Sequence, residues 1–338
     1  MQETKFKNLL VTGGAGFIGS NFVRWVLDNT QGASVTVLDA FTYAANEANL
    51  SGLDRTRLRV VKGDIRDASL TEELCKVSDA VVHFAAETHN DRAIWRPEPF
   101  ITTNIEGTYT LLEAVRKTGA RFHHISTDEV YGDLNFNSSD VFTEDSPYRP
   151  SGPYAASKAA ADMLVRAWYR TYGIKATITN CSNNFGPFQH VEKFIPRQIT
   201  NILTGLRPRL YGTGRNIRDW ICVEDHCRAV WTVLNHGAPG ETYLVGSSCA
   251  LCNLEVLRRI LRAMGLPEDA FDWVPERPSH DRRYAVSAQK LMRELGWRPI
   301  CRDFDSSLKQ TILWYAAHRS WWEDQKKKTE AMYRDLGL

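Results

Sequence analysis

Residues 8–19 decide the fold: Asn8-Leu-Leu-Val-Thr12 is a short apolar run, and Gly13-Gly-Ala-Gly16-Phe-Ile-Gly19 follows it directly. After the glycines, apolar residues recur at the spacing of one helix face from Ile18 to Leu27. A strand, a glycine turn and a helix in this order are the context that a dinucleotide-binding motif requires. Glycines let a pyrophosphate approach closely, and the helix amino terminus stabilises it through its N–H groups and dipole. The stretch therefore predicts a nucleotide-binding unit of the Rossmann type.

The second predicted strand, Ser34-Val-Thr-Val-Leu38, ends in Asp39. An acidic side chain about twenty residues past the glycine turn accepts a hydrogen bond from a ribose 2′-hydroxyl and repels a 2′-phosphate. We therefore expect NAD rather than NADP as the cofactor. A plain turn-capping role for Asp39 is the alternative.

Strands and helices continue to alternate after this point. Residues 58–61, 80–86 and 175–181 are short apolar runs, and the segments 105–117 and 154–172 have helical apolar stripes. This alternation predicts an α/β fold with a doubly wound parallel sheet.

The composition of the chain changes after Cys181, where loops rich in glycine, proline and basic side chains begin. These loops predict a smaller α/β substrate-binding lobe that supplies a cationic pocket. We expect a Rossmann domain over residues 1–180, with a returning segment at about 219–248, and the lobe mainly over residues 181–338.

Composition narrows the classes of function. The chain has 338 residues, 43% of them hydrophobic, and a net charge of +2, so nothing in its charge balance predicts a nucleic-acid or membrane partner. Seven scattered cysteines predict reduced thiols and a cytoplasmic location. The Cys249-Ala-Leu-Cys252 pair has no matching second pair, so we expect no metal site.

Chemistry-bearing residues follow the strand predicted at residues 121–126. Thr127, Asp128 and Glu129 come at its carboxyl end, the edge of a parallel sheet where ligands bind. Tyr154 and Lys158 are four residues apart, so a helix would put them on one face, where an ammonium can lower the pKa of a phenol. A solvated loop and an ordinary amphipathic helix are the alternatives. Together the two groups predict a redox site with additional acid/base residues.

These residues closely resemble the nucleotide-sugar 4,6-dehydratases of the extended short-chain dehydrogenase/reductase superfamily. The resemblance runs from the glycine turn to near residue 322, and its specific part is the Thr-Asp-Glu triplet. The matching motifs are AAETHNDRAI (85–94), STDEVYG (126–132), PYAASK (153–158), NCSNNFGPFQHVEKFIP (180–196), YGTGRNIRDW (211–220) and RPSHDRRYAV (277–286).

The resemblance implies conversion of dTDP-glucose to dTDP-4-keto-6-deoxyglucose and water. Tyr154, ionised with the help of Lys158, would take the C4 hydroxyl proton while NAD takes the C4 hydride. Glu129 would then remove the C5 proton and Asp128 would protonate the leaving C6 hydroxyl. The hydride would then return to C6 and C5 would be reprotonated, which leaves the cofactor oxidised. Thr127 would hydrogen-bond at C4. The resemblance alone assigns the acid to Asp128 and the base to Glu129.

The same resemblance implies two sets of binding residues. The expected cofactor residues are Gly13, Gly16, Phe17, Ile18, Gly19, Asp39, Ala40, Thr42, Asp64, Ile65, Phe84, Ala85, Ala86, Thr103, Tyr154, Lys158 and Asn184. The expected substrate residues are Thr88, Thr127, Asn183, Lys193, Phe194, Arg209, Tyr211, Arg218, Leu244, Arg277 and His280, with Arg218 at the diphosphate.

Several positions depart from the family pattern and keep alternatives open. The departures are Thr88 for serine, Asn90 for valine, Arg209 for proline, Leu244 for asparagine, and Glu276 and Ser279 for aspartate and glycine. The alternatives are the same reaction on UDP-glucose or another nucleotide hexose, an epimerase or decarboxylase, and a non-catalytic NAD-binding scaffold. We also expect a homodimer in which the helices at 105–117 and 154–172 form a four-helix bundle.

Overall fold

The computed structural model describes residues 4–276, 278–301 and 303–335. The strands are β1 (Asn8–Thr12), β2 (Ser34–Asp39), β3 (Leu58–Lys62), β4 (Ala80–His83), β5 (Arg121–Thr127), β6 (Ala176–Cys181), β7 (Asn183–Phe185), β8 (Arg209–Tyr211), β9 (Ile217–Cys222), β10 (Thr242–Val245), β11 (Ala250–Cys252) and β12 (Asp272–Val274). The helices are α1 (Phe17–Asn29), α2 (Ala68–Lys76), α3 (Asn90–Trp95), α4 (Glu98–Ile101), α5 (Thr108–Thr118), α6 (Pro153–Tyr172), α7 (Phe194–Leu203), α8 (Val223–His236), α9 (Asn253–Ala263), α10 (Gln289–Leu295), α11 (Phe304–Ala317) and α12 (Arg319–Asp335). Over the described ranges, no helix combines the length and the apolar character needed to span a membrane.

The main sheet has the order β10-β6-β5-β4-β1-β2-β3, and all seven of these strands, counted within the described residues, run parallel. The order reverses at β1, because β2 and β3 are added on one side of it and β4, β5 and β6 on the other. A ligand crevice forms at such a switch point, outside the carboxyl ends of the strands. The predicted doubly wound α/β fold is confirmed.

The centre of the sheet is fully buried, as expected for a parallel sheet covered on both faces. Every residue of β5 is buried, and the strand ends at Thr127, where the chain enters a short 3₁₀ turn over Asp128–Tyr131. The strand predicted at residues 121–126 is therefore confirmed, and so is the position of the triplet at its end.

Helix α1 begins directly after the glycine turn and buries Phe22, Val23 and Val26. Trp231 of α8 packs on the same face, with its ring 6.5 Å from Phe22 and 5.6 Å from Trp25 between centroids. This apolar packing fixes the amino terminus of α1 above β1, where the crevice opens.

Of the two long helices predicted from apolar stripes, one forms over the predicted residues and the other is regular over only part of its predicted range. Helix α6 matches its prediction: it begins with Pro153 and ends at Gly173, whose φ of +67° suits glycine. The helix predicted at residues 105–117 is regular only from Thr108, because residues 102–107 form wider turns of π type. These turns bring the Asn104 side chain to the Glu87 backbone, which it contacts at 2.9 and 3.0 Å. Such turns frequently accompany functional sites.

The smaller lobe contains the β11-β9-β7 and β12-β8 sheets and helices α7, α9, α11 and α12. Its apolar core includes the fully buried Trp322, with Trp314 and Trp321 packed against it, so these tryptophans anchor the carboxyl-terminal helix to the lobe. After β9 the chain returns to the main sheet through α8 and β10. The domain limits at 1–180, 219–248 and 181–338 stay predictions.

Candidate active site

Two neighbouring cavities lie at the carboxyl ends of the main-sheet strands. The first, of about 570 Å³, extends from the glycine turn past β2, β4 and β5, and the second, of about 270 Å³, extends into the smaller lobe. Thr88, Glu129, Asn183 and Lys193 line both. The first cavity is lined by all the predicted cofactor residues: Gly13, Gly16, Phe17, Ile18, Gly19, Asp39, Ala40, Thr42, Asp64, Ile65, Phe84, Ala85, Ala86, Thr103, Tyr154, Lys158 and Asn184.

The glycine turn leaves a backbone surface that a side chain would fill. A Cβ on Gly13, whose φ is +69°, would lie 2.6 Å from the Ala85 nitrogen, and one on Gly19 would lie 2.3 Å from the Gly13 oxygen. The turn also ends at the amino terminus of α1, a helix of 13 residues. N–H groups and close backbone approach are what a pyrophosphate needs, so this part of the cavity fits a dinucleotide.

Asp39 lies at the end of β2 and is held by the backbone. Its carboxylate oxygens accept hydrogen bonds from the N–H groups of Ala15 at 2.9 Å and Phe41 at 2.8 Å. Burial raises the pKa of Asp39, and these two hydrogen bonds oppose the shift. The side chain is thus oriented toward the first cavity as an acceptor, which fits a ribose hydroxyl and not a 2′-phosphate.

Tyr154 is buried on the inner face of α6, where its ring packs edge-on against Phe100. Burial raises the pKa of the Tyr154 phenol well above its usual range, the Glu129 charge adds to the shift, and a hydrogen bond with Thr127 opposes it. The phenol therefore lies beside the carboxyl group of Glu129 and the hydroxyl of Thr127.

Lys158 is also buried, and its ammonium group contacts β5. Its ammonium group donates to the carbonyl of Ile125 at 2.7 Å and lies 3.3 Å from His124 Nε2. Burial lowers the pKa of Lys158 to about 8, while the charge of Asp162 opposes that shift. The ammonium is thus directed to the β5 backbone, with Asp162 as an acidic neighbour, and the lowering of the phenol's pKa by Lys158 stays a prediction.

Asp162 is a residue that the sequence reasoning missed. It is buried four residues after Lys158 and accepts hydrogen bonds from Ser126 at 2.9 Å, Tyr148 at 2.8 Å and Asn180 at 3.1 Å. Its place was readable, since Tyr154, Lys158 and Asp162 recur every four residues on one helix face. A buried ammonium requires a counter-charge nearby.

The two carboxyl groups after Thr127 have different environments. Asp128 is 2% exposed, whereas Glu129 is half-buried and faces both cavities. Burial, and then the charges of Glu129 and Asp219, raise the pKa of Asp128 well above its usual range. Thr127 donates to Asp128 Oδ1 at 3.3 Å, and Oδ2 is buried without a hydrogen-bond partner among the described residues. A protonated carboxyl with an unpartnered oxygen can act as an acid toward a ligand.

Arg218 is a cation of the second cavity that is held on several sides. Its guanidinium donates to the carbonyls of Ile217 at 2.8 Å and Asp281 at 2.9 Å, and lies 4.3 Å from the centroid of the Tyr284 ring. This support fixes the planar group, which suits bidentate recognition of a phosphate. The predicted substrate residues that line the second cavity with it are Thr88, Asn183, Lys193, Phe194, Arg209, Tyr211 and His280.

One predicted substrate residue, Leu244, does not line this site. Leu244 is fully buried in β10, packed in a cluster with Tyr131 and Phe142, and within the described part of the chain it borders neither cavity. Its assignment to the substrate was wrong, because a β10 side chain on this face of the sheet points into the core. Arg277 lies outside the described residues.

Two further residues were missed as parts of the site. Asn90 donates to Glu129 Oε2 at 3.1 Å, and Tyr333 of α12 lines the second cavity. Asn90 was visible as a departure from the family pattern, but nothing in the sequence marked Tyr333. In the part of the chain that the structure describes, no cluster of His, Cys, Asp or Glu side chains is arranged to hold a metal.

The fold and this site define an enzyme of the extended short-chain dehydrogenase/reductase class: a dinucleotide cavity at the switch point, a Tyr/Lys pair on α6, and an adjoining cavity for a second ligand. Comparisons with known proteins narrow the class. The family model described as GDP-mannose 4,6 dehydratase matches residues 10–311. A dTDP-glucose 4,6-dehydratase of Mycolicibacterium smegmatis is 57% identical over 329 residues, which cover 97% of this chain and 99% of that protein. The chain belongs to the dTDP-glucose 4,6-dehydratase family.

Solved structures agree with this assignment. A dTDP-glucose 4,6-dehydratase from Streptomyces venezuelae, with NAD and dTDP bound, is similar with a TM-score of 0.91 at 46% identity. The matched part covers 94% of this chain and 99% of that one. A dTDP-glucose 4,6-dehydratase from Bacillus anthracis in complex with NAD gives a TM-score of 0.88 at 41% identity, with the same coverage.

Proposed function

We propose that this protein is a lyase that converts dTDP-glucose to dTDP-4-keto-6-deoxyglucose and water, with NAD as a cofactor that is regenerated in each turnover. The observation that carries the proposal is the Asp128–Glu129 pair beside Tyr154, with Asp128 buried and Glu129 half-buried where the two cavities adjoin. An oxidoreductase that moved only a hydride would have no need for two further carboxyl groups at this point.

The first cavity and its residues support the proposed hydride transfer to and from NAD. NAD held there supplies the acceptor and later the donor of a hydride, and its positive charge favours an ionised phenol in the same cavity. The glycine turn and Asp39 would hold it. Tyr154 accepts the proton of the C4 hydroxyl, and Thr127 hydrogen-bonds to the oxygen at C4. Lys158 lines the same cavity as Tyr154, carries a positive charge, and ties α6 to β5 through the Ile125 carbonyl.

The carboxyl pair supports the elimination. A ketone at C4 makes the C5 proton acidic, and Glu129 removes it as base. Asp128, kept protonated by burial and by its acidic neighbours, gives its proton to the leaving C6 hydroxyl. The roles follow from the environments, since the more buried carboxyl is the better acid and the half-buried one the better base.

The second cavity supports binding of the sugar nucleotide. Arg218 is the expected partner of the diphosphate, and Lys193, whose ammonium donates to the Thr88 carbonyl at 2.8 Å, contributes a second positive charge. With Leu244 in the core, discrimination of the base falls to the residues of this cavity, Arg209 among them. We expect dTDP-glucose to be preferred, with UDP-glucose as the next substrate.

We also propose that the protein is cytoplasmic and forms a homodimer. All seven cysteines are free thiols, which suits the reducing cytoplasm. On helices α5 and α6, the apolar side chains of Tyr109, Met163 and Tyr172 are each about half exposed. We expect these two helices to pair with their copies in a homodimer. Light scattering at micromolar concentration tests this, and a monomeric mass would contradict it.

A substrate panel tests the function. The purified protein is incubated with dTDP-, UDP-, CDP- and GDP-glucose, and the 4-keto product is measured by its absorbance in alkali. The expected result is the highest kcat/KM for dTDP-glucose. Product from none of the four would contradict the dehydratase, and a preference for UDP-glucose would contradict only the nucleotide assignment.

A further inference from the structure

The segment of residues 87–92 lies between the two cavities and is held by its neighbours. The N–H of Glu87 donates to Asn104 Oδ1 at 2.9 Å, and Asn104 Nδ2 donates back to the Glu87 carbonyl at 3.0 Å. Lys193 Nζ donates to the Thr88 carbonyl at 2.8 Å. The backbone before α3 is therefore fixed by the π-type turns on one side and by the residue before α7 on the other.

Asn90, the first residue of α3, connects this segment to the carboxyl pair. Its Nδ2 donates to Glu129 Oε2 at 3.1 Å. A hydrogen bond to one oxygen limits rotation of the carboxylate plane and so determines where the other oxygen points. An amide donor also favours the ionised form of the carboxyl group.

The carboxyl-terminal helix holds the residue next to Asn90. The hydroxyl of Tyr333 on α12 donates to Asp91 Oδ2 at 2.9 Å and lies 3.4 Å from His89 Nε2. Tyr333, Asp91 and His89 are all buried. The guanidinium of Arg197 lies 3.5 Å from the centroid of the Tyr333 ring, so the ring is fixed from its other side.

We propose that Asn90 is a positioning residue for Glu129, and that Tyr333 acts through Asp91 to hold Asn90 in place. The carboxyl-terminal helix then belongs to the apparatus that removes the C5 proton, although it follows the triplet by some two hundred residues of chain. This inference rests on the proposed function, since it concerns the base of that reaction.

The charged groups around Glu129 and the Asn90 hydrogen bond together determine the pH at which Glu129 ionises. Asp128, Tyr154 and Tyr284 interact with Glu129, but each disfavours its ionised form only when itself ionised. The basic groups that line the second cavity with Glu129 favour its ionised form, and the acidic groups that line it disfavour that form. The basic groups are Lys193, Arg197, Arg209 and Arg218, and the acidic groups are Asp91 and Glu192. Loss of the Asn90 donor leaves these groups in place and removes one stabiliser of the carboxylate. The acidic limb of the C5 proton-transfer rate should then move to higher pH.

The first experiment measures solvent deuterium uptake at C5 of dTDP-glucose as a function of pH. Asn90→Leu keeps the side-chain shape without the donor, and we expect the acidic limb to move up by about one pH unit. Asn90→Asp adds a like charge and should move the limb further. An unchanged midpoint in both variants would overturn the inference, while absence of 4-keto product from the wild-type protein would instead overturn the proposed function.

The second experiment tests whether Tyr333 acts through Asn90. Tyr333→Phe keeps the ring over Arg197 and removes only the hydroxyl, so we expect a smaller shift in the same direction. In the Asn90→Leu background the same change should add no further shift. Lys328→Ala, at an exposed position of the same helix, is the matched control and should leave the limb unchanged. Equal shifts from Tyr333→Phe in both backgrounds would show that Tyr333 acts independently and would overturn its assigned role.

Discussion

The two cavities differ in how the chain builds them. The first is assembled from the ends of β1, β2, β4 and β5 and from α6, elements whose sequence patterns are local. The second draws side chains from positions as distant as residues 88 and 333. Every residue predicted for the first cavity lines it, whereas the predictions for the second cavity included one residue in the core and missed Tyr333 entirely.

The difference has a physical cause. In a parallel sheet the carboxyl end of each strand lies at one edge, so a motif that follows a predicted strand is placed by the strand itself. The second cavity depends on how short strands and helices of the lobe pack, which no local pattern determines. Changes in the first cavity should therefore affect the rate of the reaction and the affinity for NAD. Changes in the second cavity should affect the affinity for the sugar nucleotide.

The largest effect is expected from Tyr154→Phe, which removes the group that serves the redox step. Loss of a general base typically costs two to four orders of magnitude in rate, and oxidation precedes all later steps. We expect kcat to fall by that range, with no NADH absorbance after dTDP-glucose is added. Tyr172→Phe, at the exposed end of the same helix, is the control and should keep full activity. NADH formation at the wild-type rate by Tyr154→Phe would contradict the assignment.

Asp39→Asn should weaken the binding of NAD and leave the binding of dTDP unchanged. The amide loses one of the two acceptor oxygens that now accept from the Ala15 and Phe41 N–H groups at the edge of the first cavity. Loss of a hydrogen bond to a charged group corresponds to about ten- to hundredfold in affinity. NAD retained through gel filtration measures the first part, and dTDP binding by calorimetry measures the second. An equal loss of both affinities would show that the two cavities are not separable.

Arg218→Lys should weaken the binding of dTDP and leave the binding of NAD unchanged. A lysine keeps the charge but cannot be held by two carbonyls and an aromatic ring at once, so the diphosphate loses a fixed bidentate partner. We expect about a tenfold weaker affinity for dTDP and unchanged retention of NAD. The same calorimetry and gel filtration provide the measurement. Unchanged dTDP affinity would show that the diphosphate lies elsewhere.

The smallest effect concerns Leu244, the residue wrongly assigned to the substrate. Leu244→Val removes one methylene from the core and should lower the free energy of unfolding by about 1 kcal/mol, measured by denaturant titration. The ratio of kcat/KM for dTDP-glucose to that for UDP-glucose should stay within about twofold, since twofold is well under 1 kcal/mol. A larger change in that ratio would restore Leu244 to the substrate site.

Individual residues show which parts of the site could be predicted from the sequence. The glycine turn, Asp39, the triplet and the Tyr/Lys pair were each predicted, because short spacings place them on a strand end or a helix face. The contacts of Lys158 with Ile125 and His124 could not be predicted, because they depend on how α6 packs against β5. Asn90 stood out as unusual, but its contact with Glu129 required the tertiary structure.

The central claim is that Asp128 and Glu129 perform the elimination while Tyr154 performs the oxidation. The most direct test compares Asp128→Asn with Glu129→Gln under single-turnover conditions, following NADH absorbance and solvent deuterium at C5. With the acid removed, NADH should accumulate and C5 exchange should persist; with the base removed, NADH should accumulate without exchange. Because removal of a general acid typically costs two to four orders of magnitude, water loss by Asp128→Asn should be slowed by that range. Elimination at the wild-type rate in Asp128→Asn would contradict the account.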